Sequence, residues 1–142
     1  MRKEKDMKHI CYAAVSATIA SMADKQGSFG LSVASIAIAD SNVGSACNED
    51  YISFNGGVYT EAIAIIGTPN PTAVSRVCGR FMNTSAAQAA HVKVCSITTP
   101  FEVNVVFDEQ ERYEAGAAMA QLEELQGAPG GTVGFGLTFT QA

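Results

Sequence analysis

The sequence predicts an all-β fold, an antiparallel β-sandwich or jelly roll. Short segments rich in β-branched and aromatic residues recur along the chain, and several alternate apolar and polar residues with the period of two that is typical of a half-buried strand. The clearest alternating sets are Phe101, Val103, Val105 and Phe107, and then Val133, Phe135, Leu137 and Phe139. Many short strands separated by turns, with little helix, are typical of a sandwich.

The predicted elements follow one another at short intervals. The strands are predicted at residues 10–19, 29–38, 51–59, 63–66, 91–97, 101–107 and 132–140. Clusters of Gly, Pro, Asn and Ser predict turns at residues 41–45, 55–57, 67–71 and 127–131. Residues 109–126 contain no β-branched residue and many good helix formers, which predicts one short helical or loop insertion.

The length of 142 residues predicts one domain. We expect residues 10–142 to form it and the charged residues 1–9 to be a disordered or leader tip. The apolar run at 10–20, followed by Ser21-Met22-Ala23, resembles the end of a signal peptide. Ser16 and Thr18 interrupt this run, and Glu4 and Asp6 do not suit a basic leader, so the favoured interpretation is that the run is the opening strand of the fold.

The charge pattern limits the partners of the protein. The net charge is −5, and four of the nine basic residues lie within the first eight. The rest of the chain has five basic and twelve acidic residues, which gives −7. This excludes a phosphate-binding surface and so predicts no nucleic-acid partner, while cations or proteins with basic side chains are favoured. No apolar run is long enough to span a membrane, so no membrane insertion is predicted.

Four cysteines, Cys11, Cys47, Cys78 and Cys95, permit three pairings. None belongs to a Cys-x-x-Cys unit, so zinc is weakly supported. An even number of cysteines in an all-β chain favours disulfides and therefore an extracellular location. The sequon Asn83-Thr84-Ser85 agrees with this and makes Asn83 a candidate glycosylation site.

Four segments resemble the CUB-domain family. The run Cys47-Asn48-Glu49-Asp50-Tyr51 followed by Ile52-Ser53-Phe54 looks like the CUB segment in which a Cys precedes Asp-Tyr and an apolar strand. Cys78-Gly79 resembles the Cys-Gly pair of the family. Residues 101–108 are similar to its penultimate strand, and Gly134-Phe135 begins a segment similar to its closing strand. The order of these segments holds over residues 29–140, as in a divergent secreted CUB-like domain.

The resemblance implies an extracellular β-sandwich with a Cys47–Cys78 disulfide. The opening Cys strand of the family is missing here. Cys11 resembles the second Cys of the family, whose usual partner would precede Met1. Cys95 is the remaining mate in this chain, and whether Cys11 and Cys95 pair or are two buried thiols stays open.

The resemblance also implies a calcium site. Asp50 and Asp108 match two acidic ligands of the family, and Asp40 stands near the place of a third ligand that is normally Glu. Calcium prefers six to eight oxygen ligands, so three carboxylates with carbonyls and water would be sufficient. The alternative is that these three residues are solvated loop acids.

The predicted function is binding without catalysis. The chain is expected to be an extracellular module that recognises protein or glycan partners, with calcium as the one candidate cofactor. The alternative is a structural subunit that self-assembles into a matrix or fibre by strand addition, which includes homo-oligomers. A thiol enzyme using His91 and Cys95 is disfavoured, because such a pair needs contact and a third, orienting group.

Overall fold

The computed structural model describes residues 4–15, 29–31, 41–67, 72–79, 81–107 and 134–142. Within these ranges the chain forms nine strands, one short α-helix and one turn of 3-10 helix at Gly44–Ala46. The elements are β1 Ile10–Ala14, β2 Phe29–Gly30, β3 Ser41–Val43, β4 Tyr51–Thr60, α1 Glu61–Ile66, β5 Val74–Gly79, β6 Val94–Ser96, β7 Val103–Val106, β8 Gly134–Phe135 and β9 Leu137–Gln141.

The strands form two antiparallel layers that share β4. In the first layer β3 pairs with β5, β5 with β4, and the beginning of β4 with β7. In the second layer the end of β4 pairs with β6, β6 with β1, and β1 with β9. Strands β2 and β8 form a separate pair. The predicted all-β sandwich is therefore confirmed.

The core lies between the two layers. Its fully buried members include Ile52 of the first layer and Ile10 and Val94 of the second. The rings of Tyr12 and Phe54 meet across it with their centroids 5.1 Å apart. The alternation of Ile52 and Phe54 along β4 places both on the core side, as the period of two requires.

Strand β4 bends at residues 55–57, where the sequence predicts a turn. Gly56 and Gly57 have φ of 71° and 78°, and the register with β5 shifts between Ser53 and Val58. The chain does not reverse here, because Asn55 is hydrogen-bonded to the segment before β7. Its backbone N–H donates to Glu102 O, and its side-chain Nδ2 donates to Pro100 O. The turn prediction is wrong at this point, and the glycines make a bulge inside one long strand.

Two other predicted elements differ from the structure, and one strand was not predicted. Residues 63–66, predicted as a strand, belong to α1, which Gly67 ends in the left-handed conformation by donating to Ile63 O and Ala64 O. Part of the predicted turn at 41–45 is β3, and β5 was not predicted at all. The predicted insertion at 109–126 lies outside the described residues.

Both pairs of cysteines form disulfides. Cys47 is joined to Cys78, as the resemblance implied, and Cys11 is joined to Cys95, which settles the pairing that the sequence left open. Cys11 and Cys95 face each other directly across β1 and β6, and Ala64 of α1 packs against them. Closing loops with separations of 31 and 84 residues lowers the entropy of the unfolded chain. In the chain-entropy account this stabilises the fold by about 3.7 kcal/mol for the shorter loop and about 4.6 kcal/mol for the longer one.

Residues 4–9 are among the described residues, and they are hydrogen-bonded to Gln141 and Ala142. The N–H groups of Lys8 and His9 both donate to Ala142 O, and Ala142 N–H donates to His9 O. Glu4 N–H donates to the side-chain oxygen of Gln141. This part of the predicted tip therefore extends the β1–β9 pairing.

We expect Gly56→Ala to destabilise the protein more than Gly44→Ala. Both glycines have positive φ, so both substitutions introduce backbone strain of about 1 kcal/mol. A Cβ at Gly56 would also overlap the Thr98 side chain, whereas a Cβ at Gly44 meets nothing within 4 Å. The overlap should add about 1–3 kcal/mol to the loss of unfolding free energy, measured by urea denaturation. Equal losses for the two variants would contradict the position of Thr98 against the bend.

We expect Tyr12→Phe to leave stability at pH 7 unchanged or higher and to remove an alkaline loss of stability. Tyr12 is 2% exposed, and its hydroxyl has no hydrogen-bond partner among the described residues. Burial raises the pKa of Tyr12 from 10 to about 12. Because the folded-state pKa is above the unfolded one, the wild type should lose stability only as the pH rises from 10 towards 12, by roughly 2–3 kcal/mol.

Urea denaturation of wild type and Tyr12→Phe at pH 9 and pH 11.5 measures this loss. The chain has four tyrosines, so the difference in absorbance at 295 nm between folded wild type and folded Tyr12→Phe follows the titration of Tyr12. A destabilisation above about 1 kcal/mol in Tyr12→Phe at pH 7 would mean that the hydroxyl has a partner.

Candidate functional site

The candidate site lies at the end of the first layer where β3 and β4 begin. Ser41 of β3 pairs with Gly79, and Tyr51 of β4 pairs with Val106. These pairs are at the same end of the layer, because Val43 and Ile52 both pair with Val77. We call this end, with Glu49 and Asp50 at the start of β4, the acidic end.

Asp50 is the predicted ligand that the structure describes. It is 4% exposed and directly precedes β4. Burying a carboxylate is costly unless the group is paired or holds a cation. Glu49, which the sequence reasoning did not single out, is half-buried beside it in the chain.

The segment that carries Asp50 is fixed from both sides. The Cys47–Cys78 disulfide ties its beginning to β5. The guanidinium of Arg76 donates to Cys47 O at 3.2 Å and lies over the ring of Tyr51, 4.5 Å from its centroid. This role of Arg76 could not be predicted from the sequence, because the contact depends on strand β5, which was not predicted.

The other two predicted ligands are outside the described residues. Asp40 directly precedes Ser41, and Asp108 directly follows Phe107, the last described residue after β7. Within the described ranges no three His, Cys, Asp or Glu side chains are grouped closely enough to hold a metal. The structure therefore brings the strands next to Asp40, Asp50 and Asp108 to one end of the layer, and it describes one of the three side chains.

The described part of this end is compatible with calcium. Its donors are carboxylate oxygens, which are the ligands that calcium prefers, and Asp50 is held in a buried position by a fixed backbone. Nothing in the donor set favours a softer metal, since all four cysteines are in disulfides.

A loop at residues 81–92 is bonded to the same end. Ser41 Oγ donates to Ser85 O at 2.7 Å and accepts from Gln88 N–H at 3.0 Å. The backbone of Ser41 also exchanges two hydrogen bonds with this loop, at Ala87 and Gln88. A buried serine at the start of a short strand is not distinctive in sequence, so its role was missed.

Asn83 has a structural role inside this loop. It is 6% exposed, its Nδ2 donates to Ala90 O, and its Oδ1 accepts from Ser85 N–H. Nδ2 is the atom to which a glycan would be attached. A glycan there would need the side chain to leave its enclosed position and lose the bond to Ala90, so the geometry disfavours modification of the folded protein.

The disfavoured thiol-enzyme hypothesis loses its nucleophile in this structure. Cys95 is bonded to Cys11 and is fully buried. His91 Nδ1 accepts a hydrogen bond from Met82 N–H, and its ring packs against Phe29 and Phe81. His91 therefore helps to hold the loop at 81–92 in place.

The two layers, their shared core and the two disulfides define the chain as a disulfide-bonded β-sandwich domain. A comparison with protein-family models matches the animal CUB domain over residues 1–142, so the chain belongs to the CUB-domain family. Neither the comparison with curated proteins nor the one with solved structures gives a match. Animal CUB domains are typically extracellular protein-interaction modules and are generally not enzymes. No helix in the described part of the chain is long and apolar enough to cross a membrane.

We expect Asn83→Ala to lower the free energy of unfolding by about 1–3 kcal/mol, because the substitution leaves Ala90 O and Ser85 N–H without their partner. Ser85→Ala is the matched control. It also destroys the sequon, but it keeps both hydrogen bonds of the Asn83 side chain. Ser85 takes part in one of these bonds through its backbone N–H, and the other is made to Ala90 O.

Urea denaturation compares the two variants, and intact mass compares wild type and Ser85→Ala from a glycosylating host. We expect no glycan mass on the wild-type protein. A glycan that Ser85→Ala removes, on a protein of unchanged stability, would overturn the structural role of Asn83.

Proposed function

We propose that this CUB domain binds a protein partner through its acidic end and that calcium, held by Asp40, Asp50 and Asp108, is required for binding. The observation that carries the proposal is the buried carboxylate of Asp50, at the end of the layer where the strands next to the other two acids also meet. Carboxylate oxygens are the ligands that calcium prefers, and the fixed position of Asp50 before β4 supports its role as one of them.

The residues around the acidic end contribute to the proposed binding by holding the ligand-bearing segments in place. The disulfide at Cys47 and the contacts of Arg76 hold the Asp50 segment, so little conformational entropy is lost when a ligand binds there. Ser41 holds the loop at 81–92 against the strand that follows Asp40. When bound, calcium would supply the positive charge that keeps the three carboxylates together.

The partner is proposed to present basic side chains. Beyond the first eight residues the chain carries −7, so its field attracts a basic surface and repels an acidic one. Carboxylate oxygens at the acidic end are suitable acceptors for Lys or Arg. Attraction of this kind increases the association rate and weakens as salt is added. A glycan partner would lack this salt dependence unless it carried charge.

We expect calcium to raise the melting temperature of the wild type and to have no effect on Asp50→Asn. A ligand that binds only the folded state at 100 times its Kd adds about 2.7 kcal/mol to the free energy of unfolding. Glu102→Gln is the matched control. It removes one negative charge from an exposed carboxylate outside the acidic end, and it should keep the full calcium shift.

The melts are recorded with millimolar calcium and with a chelator. Unchanged melting of the wild type would eliminate calcium from the proposal. Binding to immobilised poly-L-lysine then tests the partner chemistry separately, since Asp50→Asn and Glu102→Gln have the same net charge. Equal binding by the two variants would mean that the acidic end does not recognise basic groups.

A further inference from the structure

Within the part of the chain that the structure describes, β9 is an edge strand, and its own sequence lacks the residues that normally protect an edge. It pairs with β1 over Leu137–Gln141, and no described strand pairs with its other side. Proteins usually protect such edges with Lys, Pro, bulges or very short strands. The five residues of β9, Leu-Thr-Phe-Thr-Gln, include no charge and no proline, and their pairing with β1 is regular.

The backbone groups that face this open side can be assigned. His9 and Ala142 exchange two hydrogen bonds, and Val15 N–H donates to Gly136 O. In an antiparallel pair the bonded residues alternate along the strand, so Thr138 and Thr140 direct their N–H and C=O towards β1. Leu137 and Phe139 therefore direct theirs to the open side.

At this edge a large apolar side chain on the core side of the layer is exposed to water. Phe139 pairs with Tyr12, and Tyr12 pairs with Val94, so the three residues form one row on the core side of the second layer. Val94 and Tyr12 are 0% and 2% exposed, but Phe139 is 53% exposed. A large aromatic on the core side, exposed to water at an unprotected edge, is a surface that another strand would cover.

We infer that β9 pairs antiparallel with β9 of a second copy of this chain, with Thr138 facing its own counterpart on a two-fold axis. Leu137 of each copy then lies opposite Phe139 of the other, which gives four backbone hydrogen bonds and two apolar cross-strand pairs. The register centred on Phe139 would instead place Gln141 opposite Leu137 of the second copy, next to the segment whose Glu4 N–H donates to the side chain of Gln141.

Self-complementarity favours a second copy as the occupant, because the two-fold register places Leu137 of each strand opposite Phe139 of the other and brings no charged side chains together. Two copies of a chain with net charge −5 repel each other over most of their surfaces. The strand Leu137–Gln141 carries no charge, so like charges do not meet across the paired strands. The same patch contacts itself across a two-fold axis, so the assembly closes as a dimer and does not continue as a fibre. The contact is smaller than a standard interface, so the Kd is expected between roughly 10 µM and 1 mM.

Analytical ultracentrifugation of the whole chain up to 1 mM tests the inference, with Thr138→Lys and Thr140→Lys as matched variants. Both threonines are exposed on the outer side of β9, and Thr138 Oγ1 also donates to Ala13 O. The melting temperature of each variant therefore checks that β9 stays paired with β1. Two lysines at position 138 would face each other at roughly 4.5 Å between Cα atoms, whereas two at position 140 would be roughly 14 Å apart. We expect Thr138→Lys to raise the dimer Kd at least about fivefold and Thr140→Lys to change it much less.

Cross-linking checks the register independently. Under mild oxidation Thr138→Cys should form a covalent dimer on a non-reducing gel, and Thr140→Cys should not. A monomeric wild type at 1 mM, larger assemblies that grow with concentration, or cross-linking that is no faster for Thr138→Cys would each overturn the inference. None of the proposed calcium ligands is in β9, so the dimer should persist in chelator, and failure of one proposal is distinguishable from failure of the other.

Discussion

The bend in β4 is the constraint on which the rest of the fold depends. One strand of ten residues serves both layers: Tyr51–Phe54 pair with β7, while Tyr59 and Thr60 pair with β6. A straight strand could not belong to two facing layers, and Gly56 and Gly57 adopt the positive φ values that the bulge requires. The core between the layers exists because β4 turns from one to the other.

The two disulfides lie near the two ends of this strand. Cys47 precedes β4 and is bonded to Cys78 of the neighbouring β5, while Tyr59 near its other end pairs with Cys95, which is bonded to Cys11. The first disulfide therefore ties the segment before β4 to β5, and the second joins β6, the strand that pairs with the end of β4, to β1. Ala and Gly together make up 35 of the 142 residues, and their small side chains bury little apolar surface. The disulfides therefore add stability that the core of this chain supplies less of.

The fold class could be predicted from the sequence. The elements that could not be predicted are those where tertiary contacts override the structure that the local sequence favours. Alternation of apolar residues identified the beginning of β4, since Ile52 and Phe54 do face the core. Asn55-Gly56-Gly57 has the composition of a turn, and only the bonds of Asn55 to Pro100 and Glu102 show that it is a bulge. The Ile-rich end of α1 is predicted as a strand because β-branched residues favour strands, whereas packing of Ala64 on a disulfide and the cap at Gly67 stabilise a helix.

The candidate site could be predicted only in part. Asp50 belongs to a sequence motif of the family, so the sequence alone points to it. The contacts of Arg76 and Ser41 connect residues that are far apart in sequence, so they become visible only in the fold.

The acidic end and the β9 edge differ in the physical force that each offers a partner. The acidic end presents carboxylates at the start of β4, and attraction to a basic partner there decreases when salt screens the charges. The β9 edge presents backbone groups and Phe139 without any charge, and burial of apolar surface is little weakened by salt and is strengthened by excluded salts such as sulfate. Screening also reduces the repulsion between two copies of a chain with net charge −5. Added salt should therefore move the protein from binding basic partners towards pairing with itself, and the two kinds of contact can be separated in one titration.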